Sequence, residues 1–102
     1  MTMRGKERAE LRAEAHHLKP TVHVGHHGIT ATLLRSLDEA LEARELVKVQ
    51  VERNAPQSVK EVAGELAEQT GAEVVQVIGR KTTLYRLNPE LHKKPDAAPA
   101  WR

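Results

Sequence analysis

From Leu46 to Glu52 the chain reads as a strand, and from Val47 onward apolar and polar side chains alternate without a break. Val47, Val49 and Val51 fall on one side, and Lys48, Gln50 and Glu52 on the other. A period of two over that length describes a β-strand covered on one face only. The flanking stretches carry a helical period instead. Residues 30–44 bring Leu33, Leu37, Ala40, Leu41 and Arg44 to one face, with Arg44 snorkelling at its edge, and leave Asp38, Glu39 and Glu42 to solvent. After a loop at 54–57, Val59, Val62, Ala63, Leu66 and Thr70 make a second apolar face. Ser58 and Glu61 have capping-box spacing, and Gly71 stands where a helix of this kind ends. A strand held between two amphipathic helices confines the chain to the α/β class.

The remaining elements complete that frame. Residues 4–17 predict a first helix with the stripe Leu11, Ala15 and Leu18, stopped by Pro20. Residues 21–24 alternate as a short strand, and Thr30 is placed to cap the helix after it. Residues 74–78 and 82–87 form two strands joined at 79–81 as a hairpin, with Tyr85 packed rather than open. The expected order is α-β-α-β-α-β-β, a mixed four-stranded sheet with helices mainly on one face. The pattern does not fix where the first helix docks. Residues 1–87 are expected to form one domain, and 88–102, rich in Pro, Ala and charge and including Trp101, a mobile tail.

Composition narrows the function. The chain has 102 residues, no Phe, one Trp and one Tyr, so its single core must be built from Val, Leu, Ile and Ala. The absence of Cys removes disulfides and thiolate metal sites. No apolar run has the length of a membrane span, and the first residues lack the apolar region of a secretory signal, so a cytoplasmic protein without membrane contact is expected. Five histidines lie between residues 16 and 27, but adjacent pairs point apart, and no metal or other cofactor is expected. Ser36 and Ser58 sit in helical contexts with no base placed beside them, so neither an enzyme nor a small-molecule substrate is expected. Net charge is only +2, yet it is unevenly spread. Residues 1–30 hold five Lys/Arg against three Asp/Glu, residues 31–79 five against nine, and residues 80–102 six against two. Basic ends around an acidic middle suit a polyanionic partner if the fold joins those ends.

The stretch Gly25-His26-His27-Gly28 lies where the first strand gives way to a helix. Two glycines allow a tight turn that an extended anion can approach, and the helix starting at Thr30 aims its free N–H groups there. Lys19 adds a full charge, and His26 and His27 can donate hydrogen bonds or stack on a base. Arg80 and Lys81 in the hairpin turn, with Arg86 beyond it, can hold phosphates beside that loop, and Arg8 and Arg12 on the first helix are similar candidates.

Several linked motifs carry a resemblance. Leu18-Lys19-Pro20, Val22 to Gly25 and Gly28-Ile29-Thr30 are followed by Ala40-Leu41-Glu42, then Glu45-Leu46-Val47-Lys48-Val49. Thr70-Gly71-Ala72, Val75 to Arg80 and Leu84-Tyr85-Arg86 complete the order. Over residues 5–87 the chain resembles YhbY-like proteins, the single-domain form of the CRM domain (chloroplast RNA splicing and ribosome maturation). The resemblance implies a fold like the C-terminal domain of translation initiation factor 3. It implies RNA binding through the GxxG loop and flanking basic surface, and association with precursors of the large ribosomal subunit. A monomer acting on rRNA by binding is therefore expected. The alternatives are a broader chaperone of structured RNAs, or a protein-interaction module using the acidic helices.

The loop departs from its relatives in one respect: where the family often carries Lys between the glycines, this chain has His26 and His27. Imidazole is the side chain that gains charge near physiological pH. RNA affinity measured at constant salt should therefore rise as pH falls from about 8 to 6, and a flat profile would remove these two side chains from any charge role.

Overall fold

The computed structural model describes residues 5–92. It runs α1 (Gly5–Ala15), β1 (Val22–Val24), α2 (Ala31–Arg44), β2 (Leu46–Val51), α3 (Val59–Thr70), β3 (Glu73–Ile78), β4 (Lys81–Tyr85) and a short 3-10 helix (Pro89–His92). The order is the one the sequence predicts. Among the described residues, no helix is long and apolar enough to cross a membrane.

Local chemistry sets the helix ends. Thr30 Oγ1 accepts the Leu33 N–H at 3.1 Å and starts α2. At α3 the capping box is complete: Ser58 Oγ accepts the Glu61 N–H at 3.2 Å, and Glu61 Oε1 accepts the Ser58 N–H at 3.1 Å. The bond from the Ser58 backbone, and then that from its side chain, hold the Glu61 carboxyl below the usual carboxylate range. Gly71 closes α3 in the left-handed conformation at φ 74°.

The strands form one sheet in the order β1-β2-β4-β3. β1 pairs with β2 in parallel, while β4 pairs antiparallel with both β2 and β3. Helices α2 and α3 cover one face. Leu37, Leu41, Val62 and Leu66 pack there on Val22, Val24, Val47, Val49, Val51 and Leu84, all buried. Arg44 is exposed rather than part of that face.

The first helix docks on the opposite face. Leu11 of α1 packs with Leu46 and Val75, and Leu18 and Tyr85 lie against them. α1 ends at Ala15, because the chain turns there through His17 N–H to Glu14 O at 3.0 Å and Leu18 N–H to Ala15 O at 3.2 Å. The register of β3 against β4 shifts between Val74 and Gln76. A bulge of this kind puts one extra residue on the strand. Here it gives Val75 to the α1 contact, while Gln76 pairs with Thr83.

The last strand is shorter than its sequence pattern suggests, and Arg86 explains why. Its N–H leaves the ladder and donates to Glu45 O at 2.9 Å. Its guanidinium donates to Asp38 Oδ1 at 2.6 Å, Thr70 O at 2.8 Å, Asp38 O at 3.2 Å and Glu42 Oε1 at 3.3 Å. One side chain thus ties the end of β4 to α2 and to the end of α3. Glu45 completes this corner. It is fully buried, takes a positive φ of 65°, and accepts the Asn88 N–H on Oε2 at 2.7 Å. Asn88 also donates from Nδ2 to Glu42 O at 2.7 Å. The tail expected from residue 88 therefore starts with residues bonded to the body. Residues 93–102, with Trp101, lie outside the described residues.

Replacing Arg86 with Ala should lower the stability by about 1–2 kcal/mol in denaturant titration. Charge-assisted bonds contribute more than neutral ones, but Asp38 and Glu42 are more than half exposed and are screened.

Candidate nucleic-acid interface

Because β1 and β2 are parallel, they end at the same edge of the sheet. Glu52 N–H donates to Val24 O at 2.8 Å there, and Val51 N–H donates to Arg80 O at 2.7 Å. Three connections meet at that edge: the loop Gly25–Gly28, the loop 52–58 and the β3–β4 turn. Both α2 and α3 begin from the first two, so two helix N-termini and their positive dipole ends share one end of the molecule.

The two glycines of the first loop have different roles. Gly28 N–H donates to Gly25 O at 2.9 Å, closing the turn, and Gly28 has φ +68°. A Cβ on it would stand 3.1 Å from Pro56 Cγ of the neighbouring loop. Gly25 has no left-handed requirement, and a Cβ there would meet nothing within 4 Å. Gly28 is thus needed to fit the loops together, whereas Gly25 leaves backbone open to a ligand. Between them His26 and His27 are both exposed, with ring centroids 3.9 Å apart and planes tilted by 41°.

Positive charge surrounds this loop. Arg80 and Lys81 are exposed at the hairpin turn, as the sequence places them. Arg53 in loop 52–58 and Lys60 in the first turn of α3 are exposed at the same end. These two were not picked out from the sequence. The signal was present, since loops at the carboxyl ends of parallel strands are where α/β sheets bind ligands. Among the described residues, none of these four cations has a carboxylate partner. Three carboxylates at this end have hydrogen-bond partners, Glu65 among them, whose Oε2 accepts from Gln57 Nε2 at 3.5 Å. Glu52 Oε1 lies 3.3 Å from His23 Nδ1 and 3.4 Å from Gln50 Nε2, and Glu61 closes the α3 cap.

Other predicted site residues lie elsewhere. Arg86 is at the opposite end of β4, is 18 % exposed, and is engaged as described, so it is a structural clip and not part of this cluster. Arg8 donates to Val74 O at 2.9 Å and lies 3.9 Å from Glu73 Oε2, which fastens α1 to β3. Arg12 is exposed on α1, over the second face of the sheet. Lys19 is exposed just before β1, at the end of that strand away from the loop. Thr30 is at the loop end, where its Oγ1 accepts the Leu33 N–H in the helix cap. The histidines also separate: His26 and His27 are in the loop, His23 is on the sheet, and His16 is at the end of α1. Among the described residues, no three His, Cys, Asp or Glu side chains converge as metal ligands do.

Comparison with known proteins matches residues 3–86 to the CRS1 / YhbY (CRM) domain family. The Probable RNA-binding protein YqeI of Bacillus subtilis is 40 % identical over 86 residues, covering 84 % of this chain and 90 % of that one. The Probable RNA-binding protein PA4753 of Pseudomonas aeruginosa is 31 % identical over 93 residues, covering 91 % and 89 %. The solution structure of SAV1595 from Staphylococcus aureus superposes with a TM-score of 0.73 at 39 % identity, covering 85 % of this chain and 91 % of that one.

The contrast between the glycines can be measured. Gly28→Ala should destabilise the protein by about 1–2 kcal/mol, from the left-handed backbone and the Pro56 contact. Gly25→Ala should leave the thermal midpoint unchanged.

Proposed function

We propose that this chain, which belongs to the CRS1/YhbY (CRM) domain family, binds RNA at the loop end of its sheet and assists assembly of the large ribosomal subunit. One observation carries this reading. An accessible glycine loop, two helix N-termini and four unpaired cations meet at one end, with no carboxylate there left uncommitted. That combination suits a polyanionic backbone: N–H groups and cations contact phosphate, and the open Gly25 lets the strand approach. Relatives that share this whole domain bear names as RNA-binding proteins. The family resemblance directs the proposal further, to rRNA of the large-subunit precursor.

The mechanism is binding rather than chemistry. Counterions condensed on the RNA phosphates are released when Arg53, Lys60, Arg80 and Lys81 take their place. Neutralising about four phosphates should give log K a slope near −3 against log salt on single-stranded RNA. His26 and His27 extend beyond the backbone of the loop, where they can stack on a base or donate to a phosphate.

Three measurements test the proposal. Arg80→Ala with Lys81→Ala should weaken RNA binding and make the salt slope shallower by about 1.4. Gly25→Glu should abolish binding while preserving the fold, since the added side chain projects into open space. In cell extracts, the unaltered protein should cosediment with large-subunit precursors and be released by RNase. Retention on a protein after RNase would instead favour a protein-interaction module.

A further inference from the structure

The sheet's second face is only partly covered. α1 lies over Leu46, Val75 and Tyr85, and nearer the hairpin turn Ile78 and Lys81 are exposed, Lys48 and Gln76 half-buried, and Thr83 buried between them. Cross-strand neighbours line a groove of about 180 Å³ there: Lys48, Thr83 and Gln76 in one row across the strands, with Lys81, Ile78 and His16 beside them. Its chemistry is mixed in an informative way. Lys48 and Lys81 both lack a carboxylate partner among the described residues, so the groove is cationic. The hydroxyl of Thr83 and the side-chain amide of Gln76 likewise have no hydrogen-bond partner among the described residues. Ile78 is 55 % exposed, a large apolar side chain on an otherwise polar face. Burial, and then the neighbouring charge of Lys81, lower the pKa of Lys48 from the ordinary lysine value, so an anion there would relieve an existing repulsion.

We propose that this groove holds a nucleotide of a single-stranded RNA segment continuing from the loop end, with phosphate between Lys48 and Lys81 and the base against Ile78. Gln76 then faces the edge of the base, above the buried Thr83. The inference rests on the RNA-binding reading above and extends it to a second surface. The two surfaces are continuous, because Lys81 follows Arg80, whose carbonyl accepts the Val51 N–H at the loop end. The occupant is a single strand because an unstacked base offers both an apolar face and a hydrogen-bonding edge, whereas an A-form duplex offers mainly phosphates and 2′-hydroxyls. An acidic peptide could satisfy the two lysines, but it would leave the exposed Ile78 and the unbonded Gln76 amide unexplained.

The test compares the full chain with Ile78→Asp, Lys48→Gln and Gln76→Ala by fluorescence anisotropy, on a short single-stranded RNA and on a duplex of the same length. Ile78 projects into solvent, so its replacement does not endanger the fold, and thermal midpoints verify this for all three. Each variant should weaken single-strand binding by about tenfold and change duplex affinity by no more than about twofold. Lys48→Gln should also make the single-strand salt slope shallower by about 0.7. Unchanged single-strand affinity, with Arg53→Gln and Arg80→Gln still damaging it, overturns the groove and leaves the loop-end reading intact. Equal losses on duplex and single strand overturn it too, since they would reduce the groove to general electrostatics. If the unaltered chain binds neither RNA, both readings fall together.

Discussion

β1 and β2 pair in parallel over only three residues, Val22 with Val49, His23 with Gln50 and Val24 with Val51. Parallel strands cannot be joined by a tight turn, so the chain must cross over the sheet through α2 before β2 can begin. β2 then leads through α3 to β3, which runs the same way, with β4 inserted between them. Both helices consequently start where both strands finish. The meeting of loops, helix tips and basic side chains follows from this topology without any one loop being specialised for it. Brief as it is, the pairing is reinforced at its end by the bond from Glu52 to Val24.

The sheet divides the molecule's work between its faces. The α2/α3 face holds the core, and its apolar alternation is continuous along β2. The other face is split: one part is sealed by α1, and the other carries a row of polar and cationic residues. The uneven charge of the sequence resolves differently from the simplest expectation. Among the described residues, the basic side chains of the two chain ends do not merge into one positive face. Arg8 and Arg86 fasten elements together, each beside a carboxylate, while the unpaired cations at and beside the loop end come from the hairpin turn, from loop 52–58, from the first turn of α3 and from β2.

What the sequence made legible was local. The Thr30 cap, the Ser58–Glu61 box, the Gly71 stop and the alternation of Val47, Val49 and Val51 each depend on residues within one or two turns of one another. The family resemblance supplied the chain order of the motifs. What was hidden depends on distant partners. Arg86 looks like any strand-end cation until Asp38 and Thr70 are brought beside it. The docking of α1 needed Leu46 and Val75, the second of which faces that way because of a bulge that no local pattern announces. Arg53 looks like an ordinary loop residue, because its relation to Gly25 and Arg80 exists only after three connections converge.

The bulge at Val75 has a consequence for how copies of this protein behave in a crowded solution. A bare sheet face belongs to a sheet with two outer strands, and outer strands with unpaired backbone groups invite stacking against other chains. One outer strand here is three residues long, and the other is interrupted by an extra residue that disturbs its regular spacing. Neither is a good template for edge-to-edge growth. The molecule can thus leave part of its sheet surface polar without offering its margins as templates for aggregation.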